Sequence, residues 1–124
     1  MDAVASRADI VRQCFEAYRT NQRGILEGLF TDDFTFTSPY DDRINKATYF
    51  ARCWPASIDH IASNDLERIV TQGDEAFVLY RCVTKDGHEF RNTELFAFAG
   101  DKIREINVYF GATYKNGTFV RQAG

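Results

Sequence analysis

Four long runs of β-prone residues stand one after another in the second half of the chain, at positions 60–71, 75–85, 88–99 and 102–111, with almost nothing between them. The links are Gln72-Gly73-Asp74, Asp86-Gly87 and Gly100-Asp101, each carrying a glycine where a tight hairpin needs a positive φ. Strands joined this closely pair antiparallel, because a parallel crossover needs about a dozen residues or more. This half of the chain therefore reads as an antiparallel meander.

The first half reads as helical. Ile10, Val11, Cys14, Phe15 and Tyr18 recur at helical spacing among charged residues, which predicts an amphipathic helix over 6–21 with Ser6 as its cap. A shorter helix carries Ile25, Leu26, Leu29 and Phe30 and ends before Thr31. Residues 34–38 alternate with period two and form a short strand, which Pro39 ends. A loop over 39–44 leads to a third helix, capped by Asn45, striped by Tyr49, Phe50, Cys53 and Trp54, and stopped by Pro55. After 111, a tail over 112–124 holds an Asn116-Gly117 turn suited to a short edge strand. Helices grouped ahead of strands favour an α+β roll over an α/β fold: three N-terminal helices packed on the concave face of a strongly bent, mainly antiparallel sheet.

At 124 residues, 44% hydrophobic and 27% charged, the composition fits one globular domain over 1–124 with a core at about 6–111. A net charge of −3 with scattered basic residues supplies no footprint for nucleic acid. No apolar run approaches the roughly 20 residues of a membrane span, and Met1-Asp2-Ala3-Val4-Ala5-Ser6 lacks the pattern of a signal peptide, so a cytoplasmic protein is expected. Cys14, Cys53 and Cys82 are odd in number and lack C-x-x-C spacing, so they read as small buried residues. The aromatic content of 15% exceeds what closing so small a core requires. It predicts a lined cavity or a buried interface.

Strand parity separates the two faces of the sheet. Phe90, Asn92, Glu94, Phe96 and Phe98 share one face of the third long strand, and Ile106, Val108 and Phe110 share one face of the fourth. These sets are expected to face the helices. Asn107 and Tyr109 then lie on the outer face, which suits a homodimer contact.

Several segments resemble the SnoaL-like group of the nuclear transport factor 2-like superfamily, which has a cystatin-like, cone-shaped α+β fold. They are Phe30-Thr31-Asp32-Asp33-Phe34, Phe36-Thr37-Ser38-Pro39-Tyr40-Asp41-Asp42, Tyr49-Phe50-Ala51-Arg52-Cys53-Trp54-Pro55, Phe90-Arg91-Asn92-Thr93-Glu94, and the stretch from Lys102 to Gly111. The resemblance spans about residues 6–111 and implies a pocket between helices and inner sheet face, with dimerisation through the outer face. It leaves the chemistry open, since this superfamily hosts isomerases, dehydratases, cyclases, epoxide hydrolases and binding domains. Compared with the ketosteroid isomerases, the position of the general-base Asp looks like Ser38, and that of the oxyanion Tyr falls near Cys14. Only the second oxyanion acid is matched in kind, by Glu94. Steroid isomerisation is therefore not implied.

Glu94 is the leading site residue, a carboxyl group among phenylalanines on the inner face, where it must be neutral, paired or hydrogen-bonded. Arg81 is its expected partner across the Asp86-Gly87 hairpin, either as part of a pocket acid or as a structural ion pair. Asp41 and Asp42 follow the strand end where the resembled scaffold places its catalytic loop, and Asp41 is the candidate base. Tyr40, Trp54, Phe50 and Tyr18 are candidate aromatic walls, and Ser38, Asn92, Phe96, Val108 and Phe110 complete the expected pocket. His60 is placed at a pocket rim and His88 in solvent, neither in a metal-ligand spacing, so no metal or cofactor is called for. Two functions follow. One is a pocket for a small, apolar, cyclic molecule, acting as a cofactor-free isomerase, dehydratase or cyclase. The other is a non-catalytic binding or dimerisation domain.

Overall fold

A computed structural model describes residues 6–121. The readings made for residues 1–5 and for the tail end at 122–124 lie outside the described residues. Helix α1 (Arg7–Arg19) starts where Ser6 Oγ accepts the Asp9 N–H at 3.1 Å, and it buries Ile10, Val11, Cys14, Phe15 and Ala17. Helix α2 (Arg23–Leu29) is short and buries only Leu26. The chain then turns into β1 (Phe30–Ser38), β2 (Asp41–Asn45), α3 (Lys46–His60), β3 (Ile61–Gln72), β4 (Glu75–Thr84), β5 (His88–Ala99), β6 (Lys102–Lys115) and β7 (Thr118–Val120).

The sheet order is β2-β1-β6-β5-β4-β3, with β7 added to β6. Among the described residues only β1 and β6 run parallel; every other neighbouring pair is antiparallel. The helices cover one face of this curved sheet, which is the α+β cone expected from the sequence. Curvature comes from register slips, including two between β5 and β6, at Phe90/Asn92 and Ala97/Phe98.

Several boundaries differ from the sequence reading. Phe30 opens β1 rather than closing α2, because its ring stacks on Phe34 with centroids 3.9 Å apart, and Tyr49 and Phe50 pack around the pair. Residues 41–45 form strand β2 instead of continuing a loop, paired antiparallel with β1 around a turn at Pro39-Tyr40. Pro55 lies inside α3, which runs on to His60. Pro55 cannot donate to the carbonyl of Ala51, but both residues are on the exposed side of the helix, where water can solvate that oxygen. Buried Trp54 before Pro55 and Ile58 after it keep the helix on the core. The tail contributes more order than a lone edge strand: β6 extends to Lys115 and turns through Asn116-Gly117 into β7.

At the end of the cone opposite the cavity, Arg7 clips two hairpin turns to α1. Its guanidinium donates to Gly73 O at 2.9 Å and Gly100 O at 3.2 Å, pairs with Asp74 at 2.9 Å, and lies over the Phe98 ring. Arg7→Ala is expected to lower stability in urea unfolding by about 1–3 kcal/mol. Arg7→Lys should restore only part of that, because one ammonium group cannot span both carbonyls. A loss below about 0.5 kcal/mol would make this clip a surface ornament.

Candidate functional site

The rings of Phe30, Phe34, Phe50, Trp54 and Phe96 fill the core, while between α1, the second half of α3 and the inner faces of β1, β4, β5 and β6 a cavity of about 1020 Å³ is left open. That is at the upper end of ordinary ligand-pocket volumes, about 300–1,000 Å³. Phe36, Phe90, Ile106 and Val108 supply apolar walls. Tyr40 and Phe110, edge to face at 5.5 Å, stand half in solvent at the mouth.

Glu94 is at the deep end and is 9% exposed. Its neighbours are Cys14 from α1, Tyr49 from α3, and Tyr80 and Cys82 from β4, none of them cationic. Burial therefore dominates and pushes the Glu94 carboxyl up to about 8, against a smaller opposing effect of a hydrogen bond with the Tyr80 hydroxyl. At neutral pH Glu94 is mainly an uncharged carboxylic acid, able to donate a proton or a hydrogen bond. The thiols around it are inert: burial raises Cys14 well above the usual thiol range and Cys82 to about 12, and the nearby Glu94 adds to both.

Asp41 sits nearer the mouth, its side chain 10% exposed. Arg52 pairs with one carboxylate oxygen at 2.9 Å, and the other oxygen accepts from Ser38 Oγ at 3.4 Å and Cys53 Sγ at 3.7 Å. Burial and then the Asp41 charge push the Cys53 thiol up to about 11, so it serves as a donor rather than a nucleophile. Among the described residues, three carboxyl groups thus line the cavity in different surroundings, Glu94 desolvated, Asp41 beside a cation and Asp86 against His88.

Glu94, Asp41, Tyr18, Ser38, Tyr40, Asn92, Val108 and Phe110 all line this cavity. Phe50, Trp54 and Phe96 do not; they are core residues packed against Phe30, Tyr18 and Phe15 respectively. Arg81 is on the opposite face of the sheet, paired with Glu89 and Asp65. The cause is a register difference of one residue. Val78 lies opposite Glu94 and Tyr80 opposite Asn92, so even-numbered residues of β4 face the helices, whereas a strict two-residue Asp86-Gly87 turn would have turned Arg81 inward. Tyr80 and Cys82 face the cavity by the same register, while Tyr49 and Arg52 reach it from α3. A three-residue Lys85-Asp86-Gly87 turn would have brought Tyr80 to Glu94 from sequence alone. His60 lines the cavity, and so does His88, which is held by Asp86 at 2.8 Å rather than left in solvent. Among the described residues, no group of three or more His, Cys, Asp or Glu is arranged to hold a metal ion. No helix among them is long and apolar enough to cross a membrane.

This combination of a coned sheet and three covering helices is a nuclear transport factor 2-like fold. Residues 11–106 match the SnoaL-like domain family, and the chain belongs to it. Solved structures agree on the fold. An NTF2-like protein of unknown function from Cytophaga hutchinsonii superposes with a TM-score of 0.73 at 17% identity, covering 89% of this chain and 94% of that one. A protein from Jannaschia, provisionally named a SnoaL-like polyketide cyclase, gives 0.74 at 13% identity, covering 89% of each chain. A protein with a ketosteroid isomerase-like fold from Catenulispora acidiphila, in complex with trimethylamine, gives 0.68 at 15% identity over 83% of this chain and 85% of that one. No curated protein matches the sequence.

The Glu94 shift has a stability consequence with a definite sign. The folded state holds this proton up to about pH 8, whereas an unfolded chain releases it near 4.5. Between those values the folded state binds more protons, so stability falls as pH rises and levels off above about 8. Each unit is worth about 1.4 kcal/mol, which makes the total a few kcal/mol. Glu94→Gln should therefore become progressively more stable than the native protein from about pH 5 to about pH 8.5 in urea titrations. A stability difference that does not vary with pH would mean that Glu94 titrates like an exposed carboxyl.

Proposed function

We propose that this SnoaL-like protein binds a small apolar, cyclic molecule in the cavity and presents Glu94 to it as an uncharged acid. The observation that carries this reading is a carboxyl group buried without a cationic neighbour at the deep end of an aromatic-walled cavity of about 1020 Å³. A neutral acid there favours a ligand that brings an acceptor, such as a carbonyl oxygen, and gives no anchor to a cation. Asp41, beside Arg52 on the same cavity, is the proposed base. Together they suit cofactor-free proton transfer in an isomerase, dehydratase or cyclase. Three free cysteines with no disulfide suit the reducing cytoplasm, where we place the protein.

The test is binding of bicyclic and tricyclic ketones against hydrocarbons of the same shape, read by the fluorescence of Trp54, whose ring lies 4.7 Å from that of the cavity-lining Tyr18. Ketones are expected to bind more tightly than the hydrocarbons below about pH 8 and to lose that advantage above it. In Glu94→Gln the pH dependence should vanish. Equal affinity for ketone and hydrocarbon at every pH would defeat the acid role.

A second reading, an assembly domain, draws on the outer sheet face. Val70, Phe77 and Tyr109 are 58%, 48% and 62% exposed there, and Leu95 lies opposite Phe77. An apolar patch of this kind suits a homodimer, which is compatible with the pocket on the other face. Sedimentation at micromolar concentration should give a dimer, and Phe77→Glu with Tyr109→Glu a folded monomer. A native monomer would remove this reading.

A further inference from the structure

Tyr80 has one hydroxyl proton and two polar neighbours, Asn92 and Glu94, and the direction of that proton decides what Glu94 can offer. Asn92 Oδ1 accepts the Gly111 N–H at 3.3 Å, which orients the amide and leaves Nδ2 facing Tyr80 at 3.1 Å from Oη. An amide nitrogen only donates, so Oη accepts from Asn92. The hydroxyl proton is then free for the Glu94 carboxyl, which lies one cross-strand pair along on the same face of β4 and β5. With one Glu94 oxygen filled in this way, the acid proton on the other stays available to the cavity.

The start of this chain depends on a backbone irregularity. Asn92 lies opposite Phe110 and Phe90 opposite Thr113, so β6 carries one extra residue at Gly111-Ala112. A Cβ at position 111 would come 2.0 Å from the Arg91 carbonyl oxygen, and only glycine lets this N–H approach Asn92. Asn92 itself is 5% exposed and lies in an apolar layer, where an amide is costly unless its groups are bonded.

We propose that Gly111, Asn92 and Tyr80 form a one-way hydrogen-bond chain that occupies one oxygen of Glu94 and directs its acid proton into the cavity. Tyr80 and Asn92 are thus positioning residues for the acid named above. This inference rests on the acid reading of Glu94. The other ionisable groups facing Glu94 are Cys14 from α1, Tyr49 from α3 and Cys82 from β4, and burial raises all three, so they stay neutral while Glu94 titrates.

The experiment is ¹³C-carboxyl NMR titration of the ligand-free protein, with Glu94→Gln to assign the Glu94 signal, in native, Tyr80→Phe and Asn92→Leu forms. A donated hydrogen bond favours the ionised carboxylate, so Tyr80→Phe should raise the Glu94 midpoint by about one unit. Asn92→Leu should raise it too, because Tyr80 is then free to accept the Glu94 proton instead of donating. Unchanged midpoints in the variants would overturn the chain, whatever the native value. A native midpoint near 4.5, by contrast, would overturn the acid reading while a variant shift still upheld the chain. Tyr80→Phe keeps the ring that packs on Phe15, so the test stands on it alone if Asn92→Leu does not fold.

Discussion

The pairing of β4 with β5 governs the site. With Val78 opposite Glu94 and Tyr80 opposite Asn92, a tyrosine, an amide and a carboxyl group all project to the helix side, while Arg81 and Glu89 pair on the other face. A slip of one residue would exchange these sets, placing a guanidinium beside Glu94 and converting a neutral acid into an ion pair. The three-residue Lys85-Asp86-Gly87 link sets that register. Gly87, at φ +88°, closes it, with its N–H bonded to Thr84 O at 3.0 Å.

Burial does the rest. The cone closes at one end on phenylalanine rings and on the Arg7 clip, and it stays open at the other, where Tyr40 and Phe110 stand at the mouth. Glu94 is at the boundary between these regions, deep enough to lose most of its hydration and close enough to the cavity to meet a ligand. The cost of desolvation falls on the charged form, so the same position that weakens the fold at high pH maintains an acid at neutral pH. Stability and chemistry are coupled through one proton.

Much of the fold was legible in the residue pattern, and the site only in part. Period-two alternation over 88–99 placed Glu94 and Asn92 inside, and glycine-bearing links announced the meander. The carboxyl at Asp41 was also marked, by its place after β1. Arg81 was assigned to the wrong face because the length of a hairpin link is ambiguous by one residue, and that ambiguity inverts parity. Phe50, Trp54 and Phe96 are core rather than cavity residues because neither aromatic content nor strand parity tells rings that fill space from those that border it.

What the sequence alone determined is the order of the three helices and the β-meander, the family, and the presence of a carboxyl group on an apolar strand face. The element order and the strand face follow from local periodicity and turn chemistry, which act over a few residues, and the family from the motifs the chain shares with it. Tertiary structure decided the partner of Glu94, the continuation of α3 through Pro55, the bulge at Gly111, and which rings leave the cavity open. Each of these depends on groups far apart in the chain reaching the same few ångströms, where register, desolvation and close packing act together.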